Sequence, residues 1–266
     1  MSQPNNKIPI SESNSIAEQF NAYLELVKLL RRECPWDSAQ TNQSIAPLMI
    51  EETYEVLEAI RQGDDAAFAK ELGDILLHVV LHSVMAEERG AFNLSDVLQK
   101  STEKLIHRHP NVFAPDSDRA SKNWEELKME EGQKSTLDGV PKAMPALLRA
   151  ERIQHKAARV GFEWAGENDA WDKIHEELGE LREELDRDDH EKSVDEFGDF
   201  VFALVNLARM KGITAEEAVS RTNDKFTKRF QFIEKKAKEL DKPLKNMTLE
   251  EMIAFWSEAK KQEHKK

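Results

Sequence analysis

Two short acidic blocks, repeated at a fixed distance, constrain this chain more than any other feature. Residues 51–55 read Glu-Glu-Thr-Tyr-Glu and residues 71–74 read Glu-Leu-Gly-Asp. Residues 176–180 read Glu-Glu-Leu-Gly-Glu and residues 196–199 read Glu-Phe-Gly-Asp. Glu52 and Glu177 are 125 positions apart, and so are Asp74 and Asp199. E-E-x-x-E, fifteen residues, then E-x-G-D therefore occurs twice, which marks a duplicated unit. Other features follow the same order in each half. Trp36 and Trp164 precede the blocks, Lys104/Arg108 and Lys225/Arg229 come after them, and Trp124/Lys128 and Trp256/Lys260 follow.

The unit is helical. Ten Gly and nine Pro are few for 266 residues, and the lone Asp-Gly pair, Asp138-Gly139, has no alternating strands beside it. Apolar residues recur instead at 3–4-residue steps. The spacing predicts a helix after Ser15, carrying Ile16, Phe20, Tyr23, Leu24, Val27 and Leu30. Further helices are predicted over 45–61, 65–88, 96–107, 142–158, 170–185, 191–210, 215–240 and 249–260. Asp64, Ser95, Asp169, Thr214 and Thr248 stand where N-caps belong. The expected architecture is all-α, with a flexible tail at 1–15, a first unit at 16–130, a linker at 131–145 and a second unit at 146–266. The linker segment is rich in turn residues, with Gly132, Gly139, Pro141 and Pro145.

Composition removes several function classes. Fifty-one Asp+Glu against 38 Lys+Arg give a net charge of -13, which leaves no broad basic face for a phosphate backbone. Nucleic acid is not an expected partner. A single Cys excludes a disulfide scaffold and a multi-cysteine zinc site, and fits a reducing cytoplasm. Cys34, between Glu33 and Pro35, reads as a packed turn residue. The most apolar run, 75–85, contains His78 and His82 and is far shorter than the ~20 residues of a membrane span. The polar start has no apolar core of a secretory signal. The basic end, 260–266, reads as a solvated helix terminus.

Acid pairs three residues apart are usually a wet helix face. Three observations set these apart. Glu52 with Glu55, and Glu71 with Asp74, share helix faces, and Leu48 and Ala59 extend the first face with apolar groups. Asp74 and Asp199 each open an apolar run. Gly73 and Gly198 sit mid-helix, where glycine costs about 1 kcal/mol relative to alanine, so a close neighbour is expected at both. Two facing helices would gather four carboxylates. At ~5 Å and an effective dielectric of ~20, each pair repels by ~3 kcal/mol. Raised carboxyl pKa values or a bound cation must relieve this. All-oxygen ligation favours Mg²⁺ or Mn²⁺ over zinc. A di-iron bundle would want Glu-x-x-His. His78 follows Asp74 by four, but Ala203 stands four after Asp199, so no histidine ligand is shared by the halves. Such a magnesium site suits a polyphosphate, whose charge the ion offsets. No G-x-x-x-x-G-K-[ST] loop is present. Lys225 and Arg229, one turn apart, suit phosphate oxygens, and Trp256 can stack on a base.

With these residues in view, the chain resembles the tandem-domain MazG-type nucleoside triphosphate pyrophosphohydrolases over about residues 16–263. The stretches 34–41, 108–113, 160–164 and 223–230 share in the likeness. The resemblance implies Mg²⁺-dependent hydrolysis of nucleoside triphosphates to monophosphate and pyrophosphate, by a homodimer of helical bundles. It implies that Glu177, Glu180, Glu196 and Asp199 hold the metal, that Lys192, Lys225 and Arg229 contact the phosphates, and that Trp256 meets the base. In the first half it points to Glu52, Glu55, Glu71 and Asp74, with Lys104, Arg108 and Trp124. Position 67, matching Lys192, is Ala67, so the second unit is the expected main site. Water attacks at the α-phosphorus in that reading. Glu176, and Glu51 in the first half, are candidates for orienting it, and Lys192 for assisting. The alternative is a non-catalytic, nucleotide-sensing or partner-binding helical dimer.

Overall fold

The computed structural model describes residues 15–122, 124–130, 132 and 134–263. The tail before Ser15, residues 264–266 and the side chains of Trp124, Glu125 and Lys128 lie outside that description. Among the described residues every regular element is helical. The chain divides into two compact units at Ser121/Lys122.

The first unit contains α1 (Ile16–Glu33), α2 (Pro35–Ala39), α3 (Ala46–Gln62), α4 (Asp65–Glu88), α5 (Leu94–His107) and α6 (Pro110–Phe113). A 3-10 turn at Asp118–Ser121 ends it. Gly63, at φ 68°, stops α3 in the left-handed conformation that a side chain resists. Asp64 caps α4 by accepting from Ala66 N and Ala67 N, both at 3.0 Å. The turn 62–65 thus sets α3 and α4 side by side, and with them the two acidic blocks. The core is built on the C-terminal half of α4. Val80, Leu81, Val84 and Met85 pack with Val27 of α1 and Ile45. This explains the apolar run at 75–85 as a core helix.

The second unit contains α7 (Trp124–Glu130), α8 (Ala146–Ala158), α9 (Glu167–Asp186), α10 (His190–Met210), α11 (Ala215–Glu239) and α12 (Leu249–Glu263), with a 3-10 turn at Leu244–Asn246. Asp189 caps α10 through Lys192 N at 3.2 Å, repeating the helix–turn–helix of α3 and α4. Ile233 and Ala237 of α11 pack on Met247, with Met252, Phe255 and Trp256 of α12 against them. Thr248 and Glu251 cap α12 reciprocally: Thr248 N donates to Glu251 at 2.8 Å, and Glu251 N to Thr248 Oγ1 at 3.3 Å.

Several local expectations change. Asn93, not Ser95, caps α5, in a capping box with Asp96. α9 starts at Glu167 behind Gly166, three residues before the expected Ala170 start. α8 starts only after Pro145, whose extended ψ of 139° ends the turn segment. That segment is tied down. Asp138 accepts from Lys134 N and Ser135 N at 2.8 and 2.9 Å. The buried Lys156 of α8 donates to Thr136 O at 2.6 Å. The short helices α2, α6 and α7 had no periodic signature long enough to read.

The two histidines of α4 stand among its core residues in sequence, His78 buried and His82 half-buried. Arg89 donates to Asn42 Oδ1 at 2.7 Å, which turns Asn42 Nδ2 toward His82 Nδ1 at 2.8 Å. His82 Nδ1 is therefore the acceptor and its proton sits on Nε2. That Nε2, and His78 Nδ1, are buried without a hydrogen-bond partner among the described residues. Burial lowers the pKa of both, against the raising effect of Asp74 on His78 and with the added repulsion of His78 on His82. An unfolded chain then takes up protons first. The stability these histidines contribute is complete above the ordinary value of about 6.5 and is lost as pH falls from there toward their lower folded values. The protection factors of α4 amides, exchange rates corrected for the intrinsic pH dependence, are expected to fall between pH 7.5 and 5.5, and less so in His78→Leu.

Candidate functional site

Each acidic block brings its carboxylates together across one helix pair. In the first unit Glu52 and Glu55 of α3 and Glu71 of α4 offer oxygens all within 4.8 Å of one another. In the second, Glu177 of α9 and Glu196 and Asp199 of α10 do the same. The i, i+3 spacing supplies two acids from one helix, and the antiparallel return supplies the third. Each trio draws three of the four repeated positions, and the omitted one differs. Asp74 pairs with Lys70 at 3.4 Å and still acts on Glu52, and Glu180 is exposed on α9.

The fourth acid still acts on its neighbours. Burial first, then the charges of Asp74, Glu55 and Glu71, push the Glu52 carboxyl up, against Lys70. Burial, then Glu177 and Glu196, push Glu180 up, against Lys173. Tyr23 of α1 is also raised, by burial and by Asp74, which keeps its phenol neutral beside the first cluster. Glu71 and Glu177 are 8% and 6% exposed, so each cluster has one carboxylate largely withdrawn from water. These oxygen-only, half-buried, mutually repelling groups fit a hard divalent cation.

Two lysines that the spacing did not reveal compensate the charge. Lys70 Nζ lies 3.0 Å from both Glu71 oxygens. Lys173 Nζ lies 2.7 Å from Glu176 and 2.7 Å from Glu177, and those bonds, Glu176 first, raise its pKa. Lys70 adjoins its acid in sequence and Lys173 precedes its acid by one turn, so the signal was present but ordinary in a chain one third charged.

The basic and aromatic positions lie elsewhere. Lys192 leans to the α9–α10 turn, 3.7 Å from Asp189 and 4.0 Å from Glu184. Lys225 is exposed on α11. Arg229 donates to Glu263 at 2.6 and 3.1 Å and stacks over Trp256, 5.4 Å from its ring centre. Phe226 meets Trp256 at 5.1 Å. Lys104 is exposed near the end of α5 and Arg108 caps that helix. Trp124 opens α7 in the second unit, and its side-chain role falls outside the described atoms. Glu51 and Glu176 are exposed. Gly73 and Gly198 correct the sequence expectation. A Cβ at either would meet nothing within 4 Å, so neither glycine is explained by a close neighbour in this chain.

A duplicated all-helical protein that twice gathers carboxylates across a helix pair defines a class of tandem acidic-site helical proteins. The MazG nucleotide pyrophosphohydrolase domain matches residues 40–113 and 167–232, one match over each acidic pair. The nucleoside triphosphate pyrophosphohydrolase of Escherichia coli (strain K12) is 40% identical over 258 residues, covering 92% of this chain and 98% of that protein. A nucleoside triphosphate pyrophosphohydrolase/pyrophosphatase MazG of Thermotoga maritima is 39% identical over 246 residues, covering 91% and 95%. The uncharacterized protein YabN of Bacillus subtilis is 43% identical over 267 residues, covering 97% of this chain and 55% of its own. The chain belongs to the MazG nucleotide pyrophosphohydrolase family.

The raised carboxyls set the sign of a cation's effect. Glu52 and Glu180 stabilise the fold when protonated. That contribution is complete below the ordinary value of 4.5 and is lost as pH rises through their higher folded values. A divalent ion replaces it only where the groups are ionised. Millimolar Mn²⁺ or Mg²⁺ is therefore expected to raise the thermal midpoint at pH 7.5 by several degrees and to have little effect at pH 4.5, measured by calorimetry.

Proposed function

We propose that this chain hydrolyses nucleoside triphosphates to the monophosphate and pyrophosphate with Mg²⁺, or Mn²⁺ in its place, and that the second unit is the main site. The observation that supports it is the paired occurrence of the carboxylate trio, within a family of nucleotide pyrophosphohydrolases. Glu177, Glu196 and Asp199 would hold the ion, with Glu180 as the fourth acid. When bound, the ion offsets charge developing on phosphoryl oxygens. Lys192, Lys225 and Arg229 supply cations for the phosphate chain, and Trp256, beside Arg229, a ring for the base. Glu176 is exposed beside Glu177 and suits a water-orienting role. In the first repeat the matching set is Glu52, Glu55, Glu71 and Asp74 with Lys104 and Arg108, while Trp124, which matches Trp256 in sequence order, belongs to the second compact unit. Ala67 there offers no amine where the second unit has Lys192.

We also propose a homodimer. Ile50, Tyr54 and Leu57 lie at i, i+4 and i+7 on the face of α3 opposite Glu52 and Glu55, and all are more than half exposed. Val194 and Phe197 are similarly exposed on α10, next to Gly198. An exposed apolar stripe on the back of each acidic pair is suited to a second copy. The activity then belongs to an assembly working on free nucleotides, with one acidic repeat within 16–130 and the other within 146–266.

Product analysis of a Mg²⁺–nucleotide panel is expected to show monophosphate and pyrophosphate in equal amounts. Glu196→Gln and Asp199→Asn are expected to lower kcat at least about 100-fold, as for loss of electrostatic stabilisation of the reacting phosphoryl group, and Glu52→Gln far less. Release of nucleoside diphosphate and orthophosphate, with no pyrophosphate, contradicts the assigned reaction, and equal losses in both units contradict the site ranking.

A further inference from the structure

Both carboxylate clusters carry a lysine, but the two lysines come from different helices. In the first unit Lys70 belongs to α4 and grips Glu71 and Asp74 of the same helix. In the second, Lys173 belongs to α9 and grips Glu176 and Glu177. The repeat does not conserve either one. The position matching Lys70 is Asp195, and the position matching Lys173 is Leu48. Each unit has thus acquired its own counter-ion at a different place. Their settings also differ. The Lys70 side chain is 66% exposed and that of Lys173 is 31% exposed. Water and salt screen the first charge more than the second.

We propose that Lys173 is a resident counter-ion of the second cluster, competing with the divalent cation for Glu177 and thereby setting the metal affinity of that site. The inference rests on the metal-site reading above. Glu177 is the buried member of the trio, and its ion pair with Lys173 is the short contact that stabilises the acids before a cation arrives. A cation binding Glu177 meets the ammonium one contact away, and the like charges repel. The ammonium must swing out toward Glu176, which is exposed and already shares it at 2.7 Å. Glu176 thus gives the displaced charge a place to go. Lys70 imposes less of this cost, because its charge is more fully hydrated.

The test is calorimetric titration of Mn²⁺, without nucleotide, into the full chain. A background carrying Glu52→Gln and Glu55→Gln confines binding to the second unit. Lys173→Met is expected to tighten Mn²⁺ binding about five- to tenfold, the worth of one partly screened ion pair. It is also expected to lower the metal-free thermal midpoint, with recovery at saturating Mn²⁺. Lys173→Arg, which keeps the charge, is expected to restore the original affinity. Unchanged or weaker binding in Lys173→Met overturns the proposal, as does an Lys173→Arg chain that binds like Lys173→Met. Glu196→Gln tests the underlying reading separately, since Glu196 makes no contact with Lys173 in these ion pairs. If it leaves Mn²⁺ binding intact, the site assignment fails whatever Lys173 does.

Discussion

Repulsion among carboxylates held close by paired helices is the constraint on which this molecule turns. A helix–turn–helix with acids on the facing sides brings three oxygens within 4.8 Å in each unit, and nothing in that geometry is favourable alone. The local design concentrates on enforcing it. Asp64 and Asp189 fix the starts of α4 and α10. The apolar second half of α4 anchors the helix in the core, so its acidic first half is presented at a fixed place. Lysines then blunt the charge from the side. A cation that binds here meets ligands whose helices are already set side by side, so little backbone ordering remains to be done.

The helical plan was legible because it follows from periodicity and sparse breakers. The α4 bounds, 65–88, follow from Asp64 and from the apolar run, and the structure has them at the same residues. The sequence points to a later start for α9 because Asp169 has the chemistry of a cap, whereas Gly166 occupies that role and Asp169 falls in the first turn. α2, α6 and α7, with four to seven residues each, are too short for an apolar stripe to show. Prolines start two of them, a signal that reads equally well as a loop.

For the site, the repeat named the eight acids, and spacing placed them on helix faces. It could not say which three of four would converge in each unit. That choice depends on side-chain directions, which spacing does not give: Asp74 falls outside the first trio and Glu180, on the open face of α9, outside the second. Lys70 and Lys173 were invisible for a related reason. A lysine beside a glutamate on a helix is commonplace, and only the third dimension tells that its partner is buried. The mid-helix glycines suggested crowding, but the space beside them within the chain is open.

The second unit begins earlier than its repeat does. Lys156 is 2% exposed, and its ammonium reaches back to the carbonyl of Thr136. Ten residues ahead of α8, this strap is a structural part of the domain it precedes. A separately produced second half starting at 146 would strip that carbonyl from a charge sunk in protein, and taking an acceptor from a buried ammonium is costly. The natural place to sever the chain is upstream of the strap, at the Ser121/Lys122 division between the compact units.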